Sequence, residues 1–157
     1  MTYEQAIAYW FGRINYEQKL PRPGELHLER MRQLLHLLGE PQKNLRIVHI
    51  AGSKGKGSTA AMLASILRQA GYRTGLFTSP HLVRVEERIQ VDGRAIGADE
   101  LTALVADIKQ CVDENNVVPT FFEMSTALGF LHFARRRVDV AVVEVGMGGA
   151  IRCDERM

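Results

Sequence analysis

The chain reads as an α/β domain, a partial, mainly parallel sheet of the phosphate-loop type flanked by helices. Three observations predict this. Residues 45–51 form an apolar, strand-like run that leads directly into a glycine-rich turn and then a helical pattern. Helical and strand-like segments alternate along the rest of the sequence, as in sheets built from β-α-β units. Residues 138–145, Val-Asp-Val-Ala-Val-Val-Glu-Val, are nearly continuous in Val and Ala, the pattern of a strand covered on both faces.

Taken in order, Thr2 and Gln5 have the spacing of a capping box for a short helix carrying Ile7, Tyr9, Trp10 and Phe11. A loop over 15–24 is marked by Pro21 and Pro23. A helix over about 25–38 places Leu28, Met31, Leu34, Leu35 and Leu38 on one side, and Gly39 and Pro41 stop it. After the first strand and the glycine turn, Met62, Leu63, Ile66, Leu67 and Ala70 trace a helix face, closed by Gly71. A second strand over 73–78 ends at Ser79-Pro80-His81. Asp92-Gly93 between two short apolar runs predicts a hairpin. Leu101, Leu104, Val105, Ile108 and Val112 mark an amphipathic helix, and Pro119-Thr120 opens another that runs to about residue 134.

The bulk composition bounds the function. With 157 residues the chain is one domain's worth, and 46% hydrophobic with 24% charged residues is ordinary for a soluble fold. A net charge of +2 is too small to predict a nucleic-acid or membrane partner. Cys111 and Cys153 are far apart and without metal-ligand spacing, so a reducing, cytoplasmic setting is expected. The first residues show neither the basic nor the apolar region of a signal peptide.

In open parallel sheets ligands gather beyond the carboxyl ends of the strands. Three strand ends here carry polar or glycine-rich chemistry: 52–58, 78–81 and 144–149. The first is the turn Gly52-Ser53-Lys54-Gly55-Lys56-Gly57-Ser58-Thr59. Glycines let backbone N–H groups approach phosphate oxygens, and the start of the following helix adds its positive dipole end. Lys56 is spaced to reach the β- and γ-phosphates of a nucleotide such as ATP, and Ser58 or Thr59 to set a hydroxyl on Mg²⁺. The turn departs from the strict G-x-x-x-x-G-K-[ST] pattern twice, so a solvated surface turn is the alternative. The strand and helix on its flanks favour the phosphate loop. Glu144 closes an apolar strand and needs a partner, which is either Mg²⁺ or a solvated or salt-bridged strand end. Ser79 before a proline reads as a turn residue or a metal ligand. Thr120 and Glu123 form a second capping box by spacing, while Phe121 and Phe122 suit either core or substrate. His49 reads as packed in its strand, and His81 as a loop residue facing water or a ligand. Arg135, Arg136 and Arg137 suit the dipole at a helix end better than an anion site.

Together these motifs resemble the folylpolyglutamate synthase/dihydrofolate synthase family of the Mur ligase superfamily. The resemblance rests on residues 49–59, His-Ile-Ala-Gly-Ser-Lys-Gly-Lys-Gly-Ser-Thr, and on 75–84, Gly-Leu-Phe-Thr-Ser-Pro-His-Leu-Val-Arg. It extends to Glu87-Arg88-Ile89, to Pro119-Thr120-Phe121-Phe122-Glu123, and to 138–149, which ends in Glu-Val-Gly-Met-Gly-Gly. It implies a truncated Mur ligase central domain and an ATP-dependent ligase. ATP phosphorylates a carboxylate of dihydropteroate or a folate, and the amine of L-glutamate displaces the phosphate to form an amide. By the same resemblance Lys56 grips the terminal phosphates, and Gly55, Gly57 and Ser58 line the nucleotide loop. Ser79 and Glu144 join Ser58 around Mg²⁺. Pro23, Gly24, Glu25 and Leu26, with His81, Arg84 and Thr120 to Glu123, lie in regions that hold the pterin-bearing substrate. The partners implied are small molecules met by a monomer. Lys54 departs from the asparagine common in the family and adds charge beside the phosphates. A cell-wall Mur-type ligase, a non-catalytic nucleotide-binding remnant and a phosphate-loop kinase or GTPase are the alternatives; the lysine-glycine-serine order counts against the last.

Family members continue after the glycine pair with Arg-(Leu or Phe)-Asp-Ala-Thr-Asn. Here residues 150–157 read Ala-Ile-Arg-Cys-Asp-Glu-Arg-Met. Back-translated as GCG ATT CGA TGC GAC GAA CGT, the first seven of these give, read one base later, Arg-Phe-Asp-Ala-Thr-Asn. The expectation is that residues 1–149 are the N-terminal part of the ATP-binding domain and 150–157 a frameshifted tail. The C-terminal glutamate-ligase domain is expected to be absent, and the 157-residue product poorly stable and inert.

Overall fold

The computed structural model describes residues 1–16 and 28–146. Helix α1 (Tyr3–Phe11) starts at the expected capping box. The Gln5 N–H donates to Thr2 Oγ1 at 3.3 Å, and the Thr2 N–H donates to Gln5 Oε1 at 2.9 Å. Helix α2 (Leu28–Leu37) buries Met31, Leu34 and Leu35 as its periodicity requires; residues 25–27 of the predicted helix lie outside the described residues. A left-handed Glu40 and the 3-10 turn Pro41–Asn44 lead into strand β1 (Ile47–Ile50). There follow α3 (Lys56–Gln69), β2 (Thr74–Phe77), the 3-10 turn Val85–Arg88, β3 (Ile89–Val91), β4 (Arg94–Ala95), α4 (Ala98–Asn115), α5 (Phe121–Arg135) and β5 (Val140–Glu144).

The strands form one sheet in the order β1-β5-β2-β3-β4. The first three are parallel, with Ile50 beside Glu144 and Phe77 beside Val143. β3 and β4 run antiparallel as the predicted hairpin. Its turn residues Asp92 and Gly93 have φ of 52° and 76°, the two-residue turn whose twist matches the strands.

β5 is the central parallel strand, which explains its unbroken apolar run. Ala141 and Val143 face a large core built with α1, α2, α4 and α5, while Val142 faces the opposite side. Trp10 is fully enclosed in the large core; its indole N–H reaches Ser125 Oγ at 3.2 Å and the Phe121 carbonyl at 3.3 Å. Among the described residues the other side carries α3 alone, seated through Ala60, Leu63, Ala64 and Leu67. This corrects the predicted face. Met62 and Ile66 are 61% and 62% exposed, and Ala70 is exposed as well. Alanines 60 and 64 bring the helix close to the sheet and rotate those larger side chains outward. Among the described residues, no helix is long and apolar enough to cross a membrane.

Candidate functional site

Because β5 lies between β1 and β2, the loops leaving β1 and β2 flank the end of β5. This is the crevice in which open α/β sheets bind ligands. A cavity of about 620 Å³ opens there. Ser53, Lys54, Gly55, Lys56, Gly57 and Ser58 line one wall, and Thr78 to Leu82 another. Glu144 lies between them, with Glu87 and Gln90 on the hairpin side.

The glycine turn is shaped by local chemistry. Gly55 takes the N-cap position of α3 with φ +75°, in the left-handed region that favours glycine. Among the described residues no side chain caps this helix, which leaves its first N–H groups to an anion. The Lys56 stem packs across the turn; a Cβ placed on Gly52 would lie 3.8 Å from Lys56 Cγ. The Thr59 hydroxyl donates to the Gly55 carbonyl at 2.9 Å, within the helix. Gly52 and Thr59 belong to the turn but do not line the cavity.

Glu144 is 6% exposed and closes the floor of the site. Its Oε2 accepts the Ser79 N–H at 3.1 Å. A Cβ on Gly57 would stand 3.4 Å from the same oxygen, so the carboxylate also touches the first turn of α3. Among the described residues it forms no ion pair. A buried carboxylate without a cationic neighbour is costly. Glu144, with the Ser58 and Ser79 hydroxyls in the same cavity, is a hard oxygen set. It fits Mg²⁺, which takes one or two carboxylates and completes its shell with phosphate and water. The described residues contain no group of three or more His, Cys, Asp or Glu suited to a metal.

The proposed substrate residues are distributed more widely. His81 lines the cavity. Arg84 pairs with Glu86 at 3.1 Å and does not line the cavity. Thr120 and Glu123 form the second capping box, at 3.2 and 2.8 Å. Phe121 is buried and stacks on Trp10 at 5.4 Å. Phe122 packs beside Gly146, just past Glu144, where a Cβ would meet its ring at 2.4 Å. Pro23, Gly24, Glu25 and Leu26 lie outside the described residues, as do 147–157.

The structure adds contacts that sequence spacing did not single out. The Arg30 Nε–H donates to Glu123 Oε2 at 2.7 Å, tying α2 to the N-terminus of α5. Glu87 accepts the backbone N–H groups of Leu82, Val83 and Arg84 at 2.9 to 3.3 Å, bracing the loop beside the cavity. Those bonds hold its carboxyl below the usual range. Its place in the Glu87-Arg88-Ile89 motif was the one sequence signal.

Compared with known proteins, the chain is 43% identical over 153 residues to the dihydrofolate synthase/folylpolyglutamate synthase of Bacillus subtilis. It is 38% identical over 154 residues to the folylpolyglutamate synthase of Lacticaseibacillus casei. The sequence belongs to the folylpolyglutamate synthase/dihydrofolate synthase family. These matches cover 94% and 95% of the chain but only 34% and 35% of the two relatives. A probable bifunctional folylpolyglutamate synthase/dihydropteroate synthase of Haloferax volcanii is 44% identical, and the chain spans 18% of it. No family model matches. Among solved structures, a folylpolyglutamate synthase complex with AMPPCP and folate superposes with a TM-score of 0.85 at 37% identity, covering 96% of this chain and 36% of that one. The Mycobacterium tuberculosis folylpolyglutamate synthase complexed with ADP gives 0.80 at 36%, covering 94% and 32%. The fold of this family is thus present over the described residues.

Proposed function

We propose that this chain carries the nucleotide-binding part of an ATP-dependent ligase that adds L-glutamate to dihydropteroate or a folate. The convergence of the Lys56 turn, the Ser79 loop and Glu144 on one cavity carries this reading. A carboxylate is a poor electrophile; phosphorylation gives it a leaving group that the glutamate amine displaces to form an amide. The turn N–H groups and Lys56 hold the terminal phosphates and offset the charge that builds up during transfer. Ser58, Ser79 and Glu144 would hold Mg²⁺, which supplies further charge neutralisation when bound. His81 lines the cavity and is assigned to the acid substrate; for Arg84, Thr120 to Glu123 and residues 23–26 that assignment rests on the family resemblance alone. Supporting the assignment are relatives solved with AMPPCP and folate and with ADP.

On this reading residues 1–149 are the N-terminal part of the ATP-binding domain. The enzyme works as a cytoplasmic monomer on small molecules, without nucleic-acid or membrane partners. Calorimetry with Mg·ATP, followed by an assay for ADP release, tests it. Saturable nucleotide binding is the expected result, and a chain that ignores ATP overturns the reading. Binding without folate- and glutamate-dependent ADP release assigns the chain a nucleotide-binding role alone.

A further inference from the structure

Arg88 is 2% exposed and does not itself line the ligand cavity; its contact with the cavity runs through His81, which does. Its Nε–H donates to His81 Nδ1 at 2.9 Å. Its guanidinium carbon lies 5.0 Å from the Phe121 ring centroid, and its carbonyl accepts the Thr78 N–H at 3.0 Å. The Phe11 ring meets the His81 ring edge-on at 6.3 Å and the Phe121 ring at 5.2 Å. The imidazole is therefore held from two sides, in contrast to the water-facing loop histidine that the sequence allows.

Arginine has five donors and no acceptor, and it keeps its charge throughout the accessible pH range. A guanidinium N–H directed at Nδ1 requires a lone pair there, so the ring proton resides on Nε2. His81 lines the cavity that Lys56, Ser79 and Glu144 also line. We propose that Arg88 is a positioning residue that fixes His81 as the neutral Nε2–H tautomer, a donor to an anionic oxygen of the bound substrates. This rests on the ligase reading above for the identity of that oxygen, a phosphoryl or a carboxylate oxygen. A neutral donor adds a directed hydrogen bond beside Lys54 and Lys56 without a further positive charge.

Long-range ¹H–¹⁵N NMR of the His81 ring, assigned by its loss in His81→Gln, tests the proposal. The expected spectrum of the unsubstituted protein has a protonated Nε2 and an unprotonated Nδ1. Averaged nitrogens or a protonated Nδ1 overturn the proposal, and this measurement needs no variant at the buried arginine. Arg88→Met is expected to shift both nitrogens toward the average of the two tautomers. Mg·ATP and then tetrahydrofolate are added, with the Lys56–Ser58 amides reporting nucleotide binding separately. An Nε2 shift on adding Mg·ATP assigns a phosphoryl oxygen, and one appearing only with tetrahydrofolate assigns a carboxylate. Loop amides that shift while Nε2 stays fixed through both additions overturn the donor role. Loop amides that ignore the nucleotide count against the ligase reading, and the ring tautomer then decides this proposal alone.

Discussion

Lys56 and Glu144 line the same cavity, and the proposed ligase reading makes them the two residues on which nucleotide and metal binding depend. A hydrogen bond to a charged group is worth about 1.5–3 kcal/mol, so Lys56→Ala is expected to weaken Mg·ATP binding by roughly ten- to a hundredfold. Calorimetry measures this, and circular dichroism confirms that the fold is kept. Glu144→Gln is nearly isosteric, and its amide oxygen still accepts the Ser79 N–H. The variant is expected to keep metal-free ADP binding and to lose the gain in affinity that Mg²⁺ brings. Equal Mg²⁺ dependence in the two proteins would remove Glu144 from the metal set. Their place at the cavity was legible in the sequence because each is chemically out of place: a lysine among glycines, and an acid at the end of an apolar strand. The Arg88–His81 and Arg30–Glu123 contacts were not, because the folded chain, and not the spacing of the residues, brings their side chains into register.

At the scale of the element, local chemistry sets the boundaries. Both capping boxes formed as their spacing predicted, since N-cap and N3 residues meet within a single turn. Thr120→Ala removes the acceptor for the Glu123 N–H. It is expected to cost about 1 kcal/mol, seen as a lower urea midpoint with an unchanged slope. Thr120→Ser keeps the acceptor and should recover most of that loss. The α3 face was harder to read. Residues 62, 63, 66 and 67 satisfy helical spacing, but spacing gives a period and not the direction of the sheet. Ala60 and Ala64 decide that direction by allowing close approach, and a hydrophobicity pattern gives small side chains little weight. Leu63→Ala and Leu104→Ala separate the two layers. Leu104 is fully buried in the large core and is expected to cost about 2–5 kcal/mol. Leu63, half-buried under α3, should cost clearly less by the same denaturation measurement.

Across the whole molecule, burial lowers the imidazole of His49 as well as that of His132, and the more deeply buried His132 ties acid stability to the packing of α5 on α4. His132 is 2% exposed between α5 and α4, with Nδ1 3.0 Å from Glu100 Oε1. Burial pushes its imidazole below the usual range; the Glu100 carboxylate pulls the other way but does not outweigh burial, and Arg136 and Arg135 add to the lowering. Arg136 also donates to Glu100 Oε2 at 3.0 Å, and Arg135 pairs with Asp107 at 2.5 Å, so the neighbouring charges are themselves engaged. A histidine that takes up its proton less readily when folded leaves the unfolded chain with more bound protons once the pH falls below about 6.5. Its contribution is therefore full above that value and declines as the pH falls toward the lower folded pKa. Urea unfolding at roughly pH 7.5 and 5.5 is expected to show a loss of stability on acidification that His132→Asn reduces, although the variant begins less stable. Equal losses in the two proteins would place the acid sensitivity elsewhere. The test reaches the sheet because residues of α4 and α5 share the large core with Ala141 and Val143 of β5, and Glu144 follows directly at the end of that strand. Loosening that packing at low pH should therefore weaken Mg·ATP binding in parallel with stability, although no residue of the His132 cluster lines the cavity.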